Sequence, residues 1–434
     1  MRKRLLLAMV GLGGLAALLL AVTGVATAGK SGVSPLPSSS CGPLQYGGKG
    51  SPQFLIASDL PLQGSGRTQT VEMTKAIAFE MKQLGFKAGK YTVGYQSCDD
   101  STTSLGKWDP GKCSANAGNY VRNRAVLAVI GTFNSGCAEI ETPIGNRAGL
   151  QWVSPANTYV GLTHTPALPG EPQKYYPTGK RTYARVVAAD DFQGAADGQL
   201  MKNNGVKSLY VLNDNEAYGF GVASAVRNVA KHLGIKIAGF EAWDPKASSY
   251  EDIASKIDNS KADAVFFGGL ICENGGKLIK SVRAGAPKAA LYAPDGFSSF
   301  TDVASGAGSA ADGMWVSIAG VPYKQLPPDA KKFAVDFGKA IGLTPTKVNP
   351  YSNYAAAATQ VVMSAIAKSG GTRPGVTAHI YSQSFPSTAV GPLQLDKNGD
   401  PKAGTVSFYK IANGGGTFQK LVKPALSLVA LAKP

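Results

Sequence analysis

Residues 125–158 open with Ala125-Val-Leu-Ala-Val-Ile130-Gly-Thr-Phe-Asn-Ser135-Gly136, continue through a helix-like stretch, and end in Gln151-Trp-Val-Ser-Pro155-Ala-Asn-Thr158. An apolar run of strand length (125–130) stops at small polar residues. A helical segment over 138–148 follows, and a second short apolar run (151–153) stops at another hydroxyl-bearing loop. Strand, helix and strand in this order predict two parallel strands whose C-terminal ends share one sheet edge. Both ends would present hydroxyls and free backbone N–H groups, and one opens a helix whose N-terminus favours an anion. The stretch reads as a carboxylate cradle.

The same alternation extends in both directions. Upstream come strand 54–57, helix 70–84, strand 91–95 and helix 115–122; downstream, a proline-containing loop (165–178) leads to a connecting strand over 181–187. At Asp190-Asp191-Phe192-Gln193-Gly194 the pattern restarts. Helices 193–203, 221–233, 250–257 and 275–284 alternate with strands 208–212, 235–240, 264–267 and 291–293. The chain then crosses back near 314–318, and helices 329–341 and 354–367 complete the first unit. The expected fold class is α/β, with two doubly wound parallel-sheet lobes. Roughly 400 residues beyond an N-terminal leader suit two lobes better than one core. Lobe 1 is expected over 52–189 and 318–402, and lobe 2 over 190–317 and 403–434. Residues 29–51, rich in Gly, Ser and Pro, read as a flexible linker.

Arg2-Lys3-Arg4, an apolar run over 5–25 and Ala26-Thr27-Ala28 fit a secretory signal cleaved near Gly29. The alternative is a retained membrane anchor. Either places the body outside the cytoplasm, in a periplasm or cell envelope. Cys41 follows three serines well beyond the apolar run, so lipid attachment is not expected. The formal charge is +16, and removing the three leader cations leaves +13. The lysines are scattered rather than gathered among aromatics, which argues for a solvated surface and against nucleic-acid binding. Five cysteines in an exported chain imply at least one disulfide and leave one thiol over. Cys98 and Cys113 flank an apparent insertion and form one physical pairing. His164, His232 and His379 stand far apart and no CxxC occurs, so no metal and no cofactor are expected.

Three segments besides the 131–136 loop sit at expected strand ends: Ser154-Pro155-Ala156-Asn157-Thr158, Asn213-Asp-Asn-Glu-Ala-Tyr218-Gly219-Phe-Gly221 and Tyr292-Ala-Pro-Asp295-Gly296. Together with the 131–136 loop they resemble the leucine/isoleucine/valine-binding protein family, the type I periplasmic solute-binding proteins of amino-acid ABC transporters. The resemblance covers nearly the whole mature chain. It implies a three-crossover hinge with ligand between the lobes, the final strands returning to lobe 2. It implies Ser135 beside Gly136 for the ligand carboxylate, Ala156 and Thr158 for its head group, Tyr218 closing on it, and Asp295 as partner of its ammonium. It also places Cys113 and Cys137 close to where some relatives carry a bridge. Leu270 stands where well-known relatives have a large aromatic, and Asp295 where several have Glu, so a larger or more polar amino acid or an amide competes with an aliphatic one. Loop Asp59-Leu-Pro-Leu-Gln63-Gly64-Ser-Gly66 is expected to shape the cleft.

Each residue has a plainer reading. Ser135 could cap the following helix, and Thr158 and Asp295 could be turn residues. Gly219-Phe-Gly221-Val-Ala-Ser224 falls short of a dinucleotide fingerprint because Ser replaces the third glycine. The chain has no Gly-x-Ser-x-Gly elbow. The expected function is therefore non-enzymatic: a monomeric receptor that captures an amino acid and delivers it to a membrane ABC permease. A sensor domain signalling to a membrane partner is the alternative, and a secreted hydrolase using Ser135 the least favoured.

Overall fold

The computed structural model describes residues 33–165 and 168–433. The leader, its cleavage site and the alternative anchor over 5–25 lie outside the described residues. No described helix is long and apolar enough to cross a membrane.

Two sheets form the body. The first has six strands in the spatial order Lys87–Ala88, Tyr91–Asp99, Phe54–Leu60, Val126–Gly131, Gln151–Ser154, Tyr183–Arg185, all parallel except the first pair. The second runs Lys236–Ala242, Ser208–Asn213, Ala264–Gly268, Ala290–Ala293, Trp315–Ile318, Val406–Ala412, Gly415–Val422; its first five strands are parallel and its last two antiparallel. Among the parallel strands of each sheet, the one that comes first in the chain lies between the second and the third. That reversal opens a crevice at the strand C-termini, where open α/β sheets bind ligands. Val126–Gly131 and Ala264–Gly268, beside the two reversals, are buried along their whole length, as strands covered on both faces must be.

The expected crossings occur. Tyr183–Arg185 ends the first sheet and helix Asp190–Asn203 packs in the second lobe. Trp315–Ile318 is a strand of the second sheet, after which helices Pro328–Ile341 and Pro350–Lys368 join the first lobe's core. Phe79 of helix Arg67–Gln83 meets Phe333 and Phe337 there. The buried run Ala355-Ala356-Ala357-Ala358 lets helix Pro350–Lys368 lie close against Arg67–Gln83. Both helices therefore begin at the cleft. The last strands return to the second sheet.

At the crossings Arg185 and Asp400 form a buried pair, Nε to Oδ1 2.8 Å. Arg185 also donates to the Tyr159 carbonyl (2.9 Å) and Thr163 Oγ1 (2.9 Å), and His164 Nε2 lies 2.9 Å from Asp400 Oδ2. Burial alone would raise the Asp400 carboxyl, but Arg185 and His164 hold it at about 2.

Two expectations need correction. Of the supposed linker 29–51, residues 33–51 are docked rather than loose. Leu36 is buried and its N–H donates to Gln96 Oε1 (2.7 Å); Gln45 exchanges backbone bonds with Tyr95 (2.8 and 2.9 Å). Cys41 is bonded to Cys98. Gly, Ser and Pro supply no core of their own, but extended backbone borrows partners from a neighbouring strand. The Cys98–Cys113 pairing is consequently not formed: Cys113 joins Cys137, as the resemblance implied, and Cys272 is the free thiol. The insertion between them is a hairpin, Ser101–Thr102 with Lys107–Trp108, followed by helix Pro110–Arg122, which Asp109 caps by accepting from Lys112 N at 2.9 Å.

Candidate functional site

Five strand ends and four helix starts meet between the lobes. From the first lobe, helix Ser135–Arg147 opens at the loop after Val126–Gly131. Its N-cap is Asn134, which makes no side-chain capping bond, so capping is not the role of Ser135. Instead Ser135 Oγ accepts from Tyr159 N at 3.3 Å, joining this loop to the next. Ser154 Oγ donates to the Thr132 carbonyl (2.7 Å) and accepts from Ala156 N (3.1 Å) and Asn157 N (2.9 Å). Asn157 Nδ2 donates to the same carbonyl at 3.1 Å. These bonds hold Ala156 and Thr158 in fixed positions before any ligand arrives.

From the second lobe, helix Ala217–His232 carries Tyr218 in its first turn. A Cβ at Gly219 would lie 2.0 Å from Asp214 Oδ1, and one at Gly221 2.6 Å from the Tyr159 ring, so close packing accounts for both glycines without a dinucleotide. The buried Asp214 accepts from Glu216 N and Leu270 N, each at 3.0 Å, and so fixes Leu270 beside Tyr218. Asp295 begins the short turn Asp295–Phe297 after strand Ala290–Ala293. Tyr218 and Tyr351 both donate to its carboxylate, and Gly296 N donates to Tyr218 Oη at 3.0 Å. Tyr351 comes from the first lobe, so this contact spans the cleft. Burial raises the Asp295 carboxyl above its ordinary range, while the tyrosine hydroxyls pull the other way. No cation pairs with it among the described residues.

Ser135, Ala156, Thr158, Tyr218, Leu270 and Asp295 line one cavity. Gly136 is not among them. It sits in the first helical turn facing Trp108, whose ring a Cβ there would meet at 2.6 Å. The sequence reading missed Gln69, Phe133, Asn134, Asn157, Gly296 and Tyr351, which line the same cavity. Asn134, Asn157 and Gly296 are chain neighbours of residues it chose. Gln69 and Tyr351 lie in the first turns of the paired helices Arg67–Gln83 and Pro350–Lys368. The glycine loop before Gln69 was the only signal for either.

A second compartment shares Gln69, Phe133, Leu270 and Asp295 with the first and extends to Trp108 and Ile271. Lys107 stands at its rim. Its Nζ reaches Glu216 Oε1 at 2.7 Å and also Glu273, both from the second lobe. Gly66 N and Ser65 Oγ donate to Asp302 Oδ2 at 3.2 and 3.4 Å, a further pair of contacts between the lobes. Cys272 borders this compartment, and burial pushes its thiol up, away from thiolate reactivity.

Three comparisons bear on this geometry. A family model described as periplasmic binding protein matches residues 60–416. A leucine-, isoleucine-, valine-, threonine- and alanine-binding protein of Pseudomonas aeruginosa is 26% identical over 303 residues, covering 70% of this chain and 76% of that protein. Among solved structures, a leucine-binding protein from Thermotoga maritima superposes with a TM-score of 0.72 at 22% identity, covering 86% of this chain and 99% of that one. A branched-chain amino acid transporter substrate-binding protein from Streptococcus pneumoniae, in complex with isoleucine, gives 0.70 at 18% identity, with 86% and 100% covered. The fold of both is that of the two lobes described above.

Proposed function

As the chain belongs to the periplasmic binding protein family, we propose that it is an extracytoplasmic receptor that captures an amino acid between its lobes and delivers it to an ABC permease. The lobes divide at 52–189 with 318–402 and at 190–317 with 403–434. One observation carries the reading: Asp295, a carboxylate with no cation beside it among the described residues, shares a cavity with the hydroxyl and backbone donors of the Ser135 and Thr158 loops. An α-amino acid supplies the two complementary charges at a short fixed separation. Its ammonium would take Asp295, with the Ala156 carbonyl and Thr158 Oγ1 as further acceptors. Its carboxylate would take Ser135 Oγ and the first-turn N–H groups of helix Ser135–Arg147, which lack partners within the helix.

The relatives named for leucine, isoleucine and valine support a branched-chain or related ligand. Because the ligand contacts both lobes, it favours the closed arrangement over an open one. The receptor needs no catalysis and works as a monomer. Ser135 Oγ accepts from the Tyr159 N–H and His164 is engaged with Asp400, so these two do not form the Ser-His pair that the hydrolase reading would use.

Calorimetric titration and thermal unfolding against the α-amino acids test the proposal. A binding amino acid at a hundredfold excess over its Kd stabilises the protein by about 2.7 kcal/mol. Unchanged unfolding with every α-amino acid sinks the reading.

A further inference from the structure

The edge of the first sheet opposite the cleft carries no acids. Six segments bring the chain to the N-terminal ends of its strands: 48–53, 82–91, 122–125, 147–150, 178–182 and the turn 368–373 between helices Pro350–Lys368 and Arg373–Ser382. Together they hold eleven Lys and Arg and no Asp or Glu. The matching segments of the second sheet, 202–207, 231–236, 258–263, 283–289 and 311–314, hold seven against Asp258, Asp263 and Asp312, and Asp258 pairs with Lys261 at 3.3 Å. Cations scattered along the sequence are thus gathered by the fold at one end of the first sheet.

Contacts place these segments side by side. Arg373 donates to the carbonyls of Tyr120, Asn123 and Val126 at 3.0, 2.8 and 2.9 Å, which seats the turn 368–373 against 122–125. A Cβ at Gly89 would meet Ala367 Cβ at 3.3 Å, so the hairpin bearing Lys87 and Lys90 lies against the end of the same helix. Lys87, Lys90, Arg122, Arg124 and Lys368 are exposed, and none of them enters an ion pair among the described residues. Burial, with the Arg124 charge beside it, pushes Arg373 down to about 10. Helix C-termini favour cations, which accounts for Lys82, Arg122, Arg147 and Lys368, each in a last turn. It does not account for Lys87, Lys90, Arg124 and Lys180, which lie outside helices.

The described chain also begins at this edge. Val33 packs in the cluster that holds Val121 and Ala125, and Asn123 Nδ2 donates to the Ser34 carbonyl at 2.8 Å. Only residues 26–32 separate Val33 from the apolar run over 5–25, a reach under about 30 Å even when fully extended. A bilayer holding that run would have this edge within reach of its headgroups.

We propose that this edge docks on an anionic phospholipid surface, leaving the cleft, at the other end of the same strands, free to open. The partner is a surface rather than one small anion. Lys87 and Lys180 flank opposite ends of the six-strand order, about 25 Å apart at the usual strand spacing. Lys and Arg near anionic headgroups each add attraction that added salt screens.

Co-sedimentation with vesicles tests this. The chain from Gly29 holds every described residue and lacks the apolar run, so any retention comes from the folded surface. Vesicles of equal parts phosphatidylcholine and phosphatidylglycerol should retain it at least about tenfold better than phosphatidylcholine alone at low ionic strength, and salt should release it. Combined Lys87→Glu, Lys90→Glu and Arg124→Glu should abolish that preference. The same charge change on the second sheet, Lys202→Glu, Lys207→Glu and Lys236→Glu, should largely keep it. Thermal unfolding like that of the wild type shows that each variant is folded. Equal retention by the two vesicle types, or equal loss in the two triple variants, overturns the proposal, the latter because net charge alone then explains binding. Tighter binding to soluble polyphosphate than to the mixed vesicles assigns the edge to a polymeric anion and overturns it as well.

Discussion

Ion pairs hold the cleft at its back and at its mouth, and the two are built differently. At the back, the Arg185 side chain is fully buried and that of Asp400 is 6% exposed, and Arg185 donates further to Asn157, Tyr159 and Thr163. At the mouth, Lys107 keeps 24% of its side chain exposed and reaches across to carboxylates of the other lobe. Parting a desolvated pair strands a charge in a medium that cannot solvate it. Parting a half-solvated one returns both groups to water at little cost. Depth alone therefore assigns permanence to the back and reversibility to the mouth.

The sharpest way to break this contrast is Asp400→Asn, which leaves the Arg185 guanidinium uncompensated. Unfolding free energy at pH 7 should fall by about 3–5 kcal/mol, read by denaturant titration. Asp400 is depressed in the folded protein, so its contribution is present above the unfolded value and lost as pH falls through about 2. The gap between wild type and variant should close over that acid range; a gap already absent at pH 7 removes the permanence of the back.

Next in size is Asp295→Asn, with an expected loss of about 2–5 kcal/mol in amino-acid affinity, measured by calorimetry, and little change in unfolding. Burial raises the wild-type carboxyl, and only the ionised form pairs with ammonium. Affinity should therefore weaken on acidification while an exposed aspartate is still ionised; a curve that tracks an ordinary aspartate contradicts that.

Lys107→Met should be milder, about 1 kcal/mol in affinity because the pair is partly solvated. Wild-type affinity should also weaken with added salt more steeply than that of the variant. Equal salt slopes would mean that the mouth contributes no charge to closure. Smallest is Ser135→Ala, at about 0.5–1.5 kcal/mol for one neutral hydroxyl among several donors; a loss as large as that of Asp295→Asn would move the weight of recognition to the first lobe.

Much of this could be read from the chain because its signals are local. Strand ends announce themselves where an apolar run meets Gly, Ser, Thr or Asn, and six of the seven chosen residues fall at one cavity for that reason. Gly136 lies off that lining because helical register turns it towards Trp108, and register depends on where the helix starts: Ser135, not Ala138. Gln69 and Tyr351 were hidden because only the packing of two helices far apart in sequence brings their first turns to the cleft. Trp108 was hidden in a hairpin that looked like an insertion. The docking of residues 33–51 depends on partners that composition does not encode.

That docked segment has a consequence for the molecule among its neighbours. Beyond its short pairing with Lys87–Ala88, strand Tyr91–Asp99 is otherwise an edge, and a free strand edge is a template on which another chain can add. Backbone bonds from Gly42 N to the Ser97 carbonyl (2.8 Å) and from Asp99 N to the Ser40 carbonyl (2.8 Å) fill it, and Cys41–Cys98 keeps the filler from leaving. In an oxidising envelope the sheet is closed to self-assembly by its own preceding residues. Light scattering under reducing conditions should register association that the oxidised protein resists, making the bridge a guard of colloidal behaviour as much as of fold.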